Sequence, residues 1–177
     1  RQTTLLSQLV EDLRLLALAE AGAETLDVAP GSIEDVLRHA VDSFRPRAQA
    51  KSIELSIDVA GGIPPIDMDS SRIMQVVVNL VDNAVLHTPE GGTVTVMAKV
   101  VDGAQGVKVV VVDTGPGIPA EELPLVFERF YRVDSSRSRE TGGAGLGLTI
   151  ARQLIESHGG TISAESVLGQ GTWIIFE

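Results

Sequence analysis

The chain has 177 residues, of which 44% are hydrophobic, so it can bury the core of one ordinary domain without disulfide support. Cysteine is absent, which excludes disulfides, thiol nucleophiles and thiolate metal sites. A formal net charge of −10 repels phosphates and argues against nucleic acid as a partner. The sequence contains neither the run of about 20 apolar residues that a membrane span needs nor the apolar core of a signal peptide, so we expect neither.

The first predicted element is a leucine-rich amphipathic helix over residues 1–19. A helix of this kind either packs on its own domain or belongs to a helical bundle whose other helices lie elsewhere. The density of large apolar residues favours the bundle; these residues are Leu5, Leu6, Leu9, Val10, Leu13, Leu16 and Leu18.

Two helices and a strand are predicted next. Helical spacing of apolar residues indicates helices near 33–49, with Ser32 as the cap, and near 70–87. Between them, residues 52–59 alternate with period two, which is typical of a strand with one solvated face. We interpret the proline- and glycine-containing segment 29–32 as a break in the chain.

The second half of the chain predicts four strands and one helix. Strands near 93–101 and 107–113 are joined by a loop short enough to require an antiparallel hairpin. A helix near 146–158 precedes strands near 161–166 and 172–177. The expected fold is an α+β two-layer sandwich, in which helices cover one face of a mixed, mostly antiparallel sheet. The N-terminal amphipathic helix precedes this sandwich.

Asn79 and Asn83 lie one turn apart beside the apolar face of the third predicted helix. A carboxamide oxygen in such a place can bind a hard cation such as Mg²⁺. The alternative is that both are half-buried asparagines that bond neighbouring loops, and these two residues alone favour it slightly.

Asp113 ends the predicted central strand and opens the turn Asp113-Thr114-Gly115-Pro116-Gly117. A carboxylate there can accept a hydrogen bond from an exocyclic amine, and the glycines allow a planar ligand to approach the backbone. The alternative, favoured when this turn is considered alone, is a carboxylate that bonds its own backbone.

Residues 142–148 are glycine-rich and open a predicted helix, whose backbone N–H groups can bind phosphate. A flexible hinge is the alternative. Residues 133–144, which overlap the start of this glycine-rich segment, are predicted to form a mobile loop. Nearby arginines either reach a phosphate or simply form a solvated basic stretch.

The order of these features resembles the ATP-binding domain of sensor histidine kinases. The segments that resemble the family's N, G1, F, G2 and G3 boxes are, in order, Asn79/Asn83, Asp113-x-Gly115-x-Gly117, Phe127…Phe130-Tyr131-Arg132, Gly143-x-Gly145-x-Gly147 and Gly169-x-Gly171-Thr172. The resemblance covers about residues 30–177, and the leading helix is similar to the second helix of the family's dimerisation and phosphoacceptor hairpin. It therefore implies a hairpin helix at 1–22 and a catalytic ATP-binding domain at 23–177.

The resemblance also implies roles for individual residues. Asn83 matches the Mg²⁺-binding asparagine, Asp113 the aspartate that bonds the adenine amine, and Arg132 an arginine that acts on the γ-phosphate during catalysis. The mobile lid over the phosphates corresponds to about 133–144. The implied ATP-binding residues are Asn79, Asn83, His87, Asp113, Gly115, Gly117, Ile118, Tyr131, Arg132, Gly143, Ala144, Gly145, Leu146, Gly147, Leu148 and Thr172.

Two features depart from the family pattern. Leu86 and His87 stand where the family often has Lys-Tyr, so the lysine charge that helps with phosphate is absent. The phosphoacceptor histidine belongs to the first helix of the hairpin, and none of the three histidines here, His39, His87 and His158, has that context. We therefore expect a fragment that binds ATP and Mg²⁺ and phosphorylates a histidine outside this chain.

Other functions remain open at this stage. ATPases of the same fold usually carry a glutamate one turn before the metal-binding asparagine, and Asn79 occupies that place without useful basicity. A non-catalytic nucleotide-binding or scaffold module is supported by Leu86. A serine kinase that acts on an anti-sigma-factor antagonist is disfavoured by the bundle-like first helix.

The resemblance further implies partners and a location. These are the phosphoacceptor hairpin within a homodimeric parent, a response regulator receiver domain, and a cytoplasmic position in a membrane-anchored parent. The isolated chain is expected to be a monomer or to self-associate weakly.

Overall fold

The computed structural model describes Val10, Arg14, Ala17 and residues 25–101, 106–131 and 145–177. Its helices are α1 (Ile33–Ala50), α2 (Ser70–His87) and α3 (Gly147–Ser157), and its strands are β1 (Ala29–Gly31), β2 (Glu54–Val59), β3 (Ile66–Met68), β4 (Thr93–Val100), β5 (Val107–Asp113), β6 (Ile162–Val167) and β7 (Gly171–Phe176). The predicted helix 1–19 lies outside the described residues, apart from Val10, Arg14 and Ala17, which are helical and exposed. No helix in these described segments has the length and hydropathy of a membrane span.

Five strands form the main sheet, in the order β2-β4-β5-β7-β6. β2 pairs with β4 in parallel, and every other neighbouring pair is antiparallel. The predicted hairpin is therefore present as β4 and β5. The valine run Val109–Val112 lies on β5, in the middle of the sheet, where a strand that is apolar on both faces is expected.

The core lies between one face of the sheet and the helices. Alternate residues of β5 are buried, while those between them are partly exposed on the opposite face. α2 packs between α1 and α3 and also contacts β4 and β5. The largest fully buried side chains are Leu37, Leu80, Leu146, Ile150, Leu154 and several valines of α1, α2 and β4. The predicted α+β sandwich with helices on one face is confirmed.

A small second sheet was not predicted. β1 and β3 pair antiparallel, although 29–32 was interpreted only as a break, so that interpretation is wrong for the first three of its residues. A Cβ added to Gly31 would lie 2.7 Å from Ser70 Oγ and 2.9 Å from Met68 Cε, so a larger residue here would require these two side chains to move. Ser32 caps α1 as predicted.

Asp69 joins three parts of the fold. Its carboxylate caps α2 by accepting the backbone N–H groups of Ser71 and Arg72 at 3.0 and 3.1 Å. The same carboxylate accepts the N–H of Asp27, from the segment before β1, at 3.1 Å. The Asp69 amide in turn donates to His158 Nε2, at the end of α3, at 3.1 Å. The start of α2 is thereby fixed to α3 and to the chain that enters the domain.

Candidate functional site

The asparagine helix and the glycine-rich turn lie side by side. Asn79 is on α2, and its Nδ2 donates to the carbonyl oxygen of Gly147, the first residue of α3, at 3.2 Å. A Cβ on Gly147 would sit 3.7 Å from the Asn79 carboxamide carbon, which is ordinary contact. The interpretation that Asn79 and Asn83 both bond neighbouring loops is not confirmed, because Asn79 bonds the first residue of a helix. This bond brings two of the predicted nucleotide-binding segments together.

Asn83 lies one turn further along α2 and is half-buried. Its carboxamide makes no hydrogen bond to another described residue, so the oxygen is available to a ligand. No group of three or more His, Cys, Asp or Glu within the described ranges could hold a metal ion. Mg²⁺, which accepts few protein ligands together with water and phosphate oxygens, fits the single amide oxygen of Asn83.

Asp113 ends β5 and is only 9% exposed. Its Oδ1 accepts the backbone N–H of Gly115 at 2.7 Å, as the turn interpretation predicted. Burial raises the pKa of Asp113, while hydrogen bonds from the backbone of Gly115 and Thr172 act in the opposite direction. A desolvated carboxylate with further acceptor capacity can bind an amine, so the turn and ligand interpretations are compatible.

Two glycines of this turn cannot be replaced without displacing their neighbours. A Cβ on Gly115 would meet Asp113 Oδ1 at 2.7 Å and the carbonyl oxygen of His87, the last residue of α2, at 3.2 Å. Gly117 has φ +73°, and a Cβ there would meet the carbonyl oxygen of Val167, at the end of β6, at 2.4 Å. The Asp113 turn is therefore held between the end of α2 and the β6–β7 hairpin.

Ser166 connects the Asp113 turn to the last hairpin, and the sequence analysis missed it. Its Oγ accepts the N–H of Ile118 at 2.8 Å and donates to the carbonyl of Gly171 at 2.7 Å. The Oγ1 of Thr172, a buried residue, lies 3.2 Å from the same hydroxyl. The signal that could have found Ser166 is its position at the end of a strand, just before Gly169-x-Gly171.

The glycine-rich turn also contacts the aromatic segment before it. The N–H of Phe130 donates to the carbonyl of Gly145 at 3.1 Å. Gly145 has φ +71°, and a Cβ there would lie 3.0 Å from the carbonyl oxygen of Tyr131. The next residue, Leu146, is 1% exposed, which anchors the turn in the core.

α3 begins directly after this anchor without a side-chain cap. The first backbone N–H groups of a helix have no intrahelical partner, and the positive end of the helix dipole lies there. Leu148, in the first turn, is half-buried. The hydroxyl of its neighbour Thr149 is buried and has no partner within the described part of the chain. The start of α3 is thus suited to an anionic ligand.

Some predicted site residues cannot be located. Arg132, Gly143, Ala144 and the predicted lid 133–144 lie outside the described residues. His87 is exposed at the end of α2, beside the half-buried Leu86. The other predicted residues gather around two places, the Asn79–Gly147 contact and the Asp113 turn, which α2 connects.

Residues 68–177 match the family model described as histidine kinase-, DNA gyrase B-, and HSP90-like ATPase. The chain belongs to this family. The matched range begins just before α2 and contains every residue predicted to bind the nucleotide, including those outside the described segments.

Relatives and solved structures place the chain among the catalytic domains of sensor histidine kinases. It is 36% identical over 176 residues to the adaptive-response sensory kinase SasA of Synechococcus elongatus, which covers 96% of this chain and 45% of SasA. Full-length ShkA in complex with AMPPNP superposes with a TM-score of 0.84 and 38% identity, over 97% of this chain and 35% of ShkA. Histidine kinase ThkA in complex with response regulator protein TrrA superposes with a TM-score of 0.75 and 26% identity, over 98% of this chain and 48% of ThkA. The chain thus spans less than half of each of these proteins.

Proposed function

We propose that this histidine kinase domain binds Mg·ATP and transfers the γ-phosphate to a histidine on a helical hairpin that is not complete in this chain, for relay to a response regulator receiver domain. The observation that carries the proposal is the Asn79–Gly147 hydrogen bond of 3.2 Å. It joins Asn79 of α2 to the first residue of α3, so the helix that carries Asn83 lies beside the N-terminus of α3. The AMPPNP bound to full-length ShkA supports ATP as the nucleotide.

Adenine binding is assigned to the Asp113 turn. The 6-amino group of adenine is a donor, and the Asp113 carboxylate is an acceptor with one oxygen already oriented by Gly115. Because this carboxylate is mostly buried, a hydrogen bond to it is stronger than the same bond in water. Ile118, which follows the turn, and Thr172 of β7 are both joined to the hydroxyl of Ser166 on β6.

The phosphates are assigned to Gly145, Leu146, Gly147 and Leu148 at the start of α3, together with Gly143 and Ala144. Mg²⁺, when bound, would neutralise phosphate charge, and Asn83 is the residue whose amide oxygen is suited to hold it. We propose that Arg132 approaches the γ-phosphate and stabilises the charge that develops on this group during transfer.

The acceptor of the phosphoryl group is proposed to be an imidazole rather than water. In the transfer, a bond forms from an imidazole nitrogen to the γ-phosphorus, and the bond to the β–γ bridging oxygen breaks to release ADP. The imidazole is itself a nucleophile and needs only to be positioned. Hydrolysis would need a residue that activates water, and the amide of Asn79, bonded to Gly147, cannot accept a proton.

A second candidate function is a non-catalytic module that binds nucleotide and transmits a conformational change. Leu86 supports it, because this apolar side chain stands on α2 one turn after Asn83 where a lysine would assist phosphate binding. Under this alternative the chain binds ATP but yields no phosphohistidine.

The parent protein is proposed to be a membrane-anchored homodimer with this domain on the cytoplasmic side. Dimerisation is assigned to the hairpin, of which residues 1–22 would be one helix. The partners would then be the phosphoacceptor hairpin and a receiver domain, as in the complex of ThkA with TrrA. The net charge of −10 supports the exclusion of nucleic acid.

The nucleotide assignment is tested by calorimetric titration of ATP with and without Mg²⁺. The wild-type chain is expected to bind ATP, and Mg²⁺ is expected to tighten the binding. Asn83→Ala should abolish the gain from Mg²⁺, because it removes the amide oxygen. Asp82→Ala is the matched control, since Asp82 pairs with Arg47 of α1 instead. ATP binding that ignores Mg²⁺ in the wild type, or a gain that survives Asn83→Ala, would contradict the assignment.

A further inference from the structure

Lys51, the residue after α1, reaches the carboxyl end of the asparagine helix α2. Its Nζ donates to the carbonyl oxygens of Val85, Leu86 and Thr88 at 2.7, 3.0 and 2.9 Å. An ammonium group has three N–H donors, and all three are used on a single helix end.

This end of α2 needs such a partner. The last carbonyls of a helix have no intrahelical donor, and the negative end of the helix dipole lies there. Thr88, the residue after α2, is 1% exposed, so water cannot replace the donors freely. Burial and the neighbouring Arg47 guanidinium lower the pKa of Lys51.

The backbone that carries Lys51 is itself fixed. The N–H groups of Lys51 and Ile53 both donate to the carbonyl of Ala48, at 3.1 and 2.8 Å. Ala48 and Ile53 are buried, and Ser52 between them adopts φ +53°. The side chain therefore extends from a rigid corner, and its position can define that of α2.

The carbonyls held by Lys51 adjoin the proposed adenine site. Those of Val85 and Leu86 belong to the final turn of α2, which follows Asn83, and that of Thr88 belongs to the residue that caps this turn. The carbonyl oxygen of His87, between those bound by Lys51, lies against Gly115 of the Asp113 turn, where no Cβ fits. A shift of this turn would therefore move both the Mg²⁺ ligand and the surface that supports the adenine-binding carboxylate.

We propose that Lys51 is a positioning residue of the nucleotide site, whose three hydrogen bonds fix the last turn of α2 and thereby the geometry of Asn83 and of the Asp113 turn. The inference rests on the proposed ATP-binding function. Lys51 touches neither nucleotide nor metal in this assignment and acts through the α2 backbone. Its effect should therefore appear in base discrimination as well as in affinity, since the turn that recognises adenine lies against the fixed carbonyl end.

The test compares Lys51→Met with Arg47→Met in the full chain. Both changes remove one positive charge from the contact between α1 and α2. Arg47, however, forms a half-exposed ion pair with Asp82 and donates to none of the α2 carbonyls that Lys51 binds. Affinities for ATP and GTP are measured by calorimetry at a temperature where circular dichroism shows each variant to be folded.

Lys51→Met is expected to weaken ATP binding about tenfold or more and to lower the ratio of ATP to GTP affinity, as the loss of a supporting residue does in other sites. Arg47→Met should stay within about twofold of the wild type, as expected for an exposed ion pair. Unchanged ATP affinity in folded Lys51→Met, or equal losses in both variants, would overturn the proposal. If Lys51→Met does not fold, Lys51→Arg is measured instead. It keeps the charge, but its planar guanidinium cannot direct three donors from one nitrogen to the three carbonyls, so ATP affinity and base discrimination should still fall, and unchanged values would overturn the proposal. A wild-type chain that binds no ATP would instead refute the proposed function.

Discussion

Asp113 is a residue whose position in the site opposes folding. Burial raises its pKa, so the folded chain holds the carboxyl proton more tightly than the unfolded chain does. The free energy of unfolding therefore falls as pH rises from the unfolded pKa of about 3.9 through the raised folded pKa. At neutral pH the ionised side chain destabilises the nucleotide-free protein, which is understandable if its acceptor is needed for a ligand.

Asp113→Asn is accordingly expected to weaken ATP binding without lowering the thermal stability of the nucleotide-free chain. Without nucleotide at pH 7, its Tm should equal or exceed that of the wild type, because the buried charge is gone. ATP affinity should fall by about 1.5–3 kcal/mol, since an amide N–H₂ would face the adenine amine. Calorimetry and thermal melts measure both, with Asp58→Asn, an exposed residue of β2, as the control. A lower Tm together with unchanged preference for ATP over GTP would contradict the assignment of Asp113.

Gly169 and Gly171 form a matched pair that separates backbone strain from steric contact. Gly169 has φ +77° with nothing within 4 Å of a Cβ, whereas Gly171 has φ +120° and a Cβ there would overlap the carbonyl oxygen of Asp113. Gly169→Ala should cost about 1 kcal/mol from the left-handed conformation alone. Gly171→Ala should cost about 3 kcal/mol or more, because strain and overlap add. Urea unfolding measures both, and equal losses would show that the contact with Asp113 is not tight.

At the scale of elements, α2 is held at both ends, by Asp69 at its start and by Lys51 at its carboxyl end. Burial acts to raise the pKa of Asp69, but hydrogen bonds from Ser71, Asp27 and Arg72 outweigh it and keep the pKa below its usual value. The carboxylate thus contributes stability above the unfolded pKa, and this contribution is lost as pH falls through the lower folded pKa.

Asp69→Ala is expected to lower the free energy of unfolding by about 1–2 kcal/mol at pH 7, through the loss of the cap and of the bond to Asp27. The difference from the wild type should shrink as pH falls below about 4. Ser32→Ala removes the cap of α1, which is uncharged, so any loss there should not depend on pH in this range. Denaturant unfolding at several pH values distinguishes the two. A loss at Asp69 that is constant with pH would contradict the role of its charge.

Regular elements could be predicted from the sequence because their signals are local. The alternation in β2 and β4, the valine run of β5 and the apolar stripes of the helices each define an element without reference to the rest of the chain. β1 and β3 could not be predicted, because strands of three residues are stabilised by pairing between segments distant in sequence. Pro30 and Gly31 give a local signal for a turn, which the pairing of β1 with β3 overrides.

The candidate site also contains residues with a local sequence signal and residues that only contacts between distant segments reveal. Asn79, Asp113 and the glycines of 145–147 could be proposed from the sequence, because their order along the chain resembles that of a known family, and their roles stay predictions. Lys51 could not be proposed, because its partners lie on another element and nothing in its sequence neighbourhood marks it. For Ser166 the sequence offers only its position just before Gly169-x-Gly171, while its partners Ile118 and Gly171 are known from the structure alone. Asn79 and Asp113 each make a structural hydrogen bond, which is compatible with the ligand role proposed for the same side chain.

At the scale of the whole molecule, the proposed boundary between residues 1–22 and 23–177 predicts independence of the nucleotide site from the first helix. Deletion of residues 1–22 should leave ATP affinity unchanged, since the predicted nucleotide residues all lie downstream. It should also abolish any weak self-association, because the deletion removes the predicted leucine-rich stripe, and an exposed apolar stripe favours association. Sedimentation and calorimetry of the truncated chain test both. Lost ATP binding would show that the first helix is part of the catalytic domain.

The central claim is that this chain transfers phosphate from ATP to a histidine supplied by another segment. The most direct measurement mixes the chain with Mg·[γ-³²P]ATP and the separately produced phosphoacceptor hairpin of the parent protein, and follows acid-labile, base-stable label. We expect labelled hairpin with the wild-type chain. We expect none with Asn83→Ala or with a hairpin whose histidine is replaced by glutamine, and little ADP when the hairpin is omitted. ATP binding without any phosphohistidine would contradict the claim and favour the non-catalytic module, while ADP release without the hairpin at about 10 s⁻¹, a common enzyme rate, would favour an ATPase.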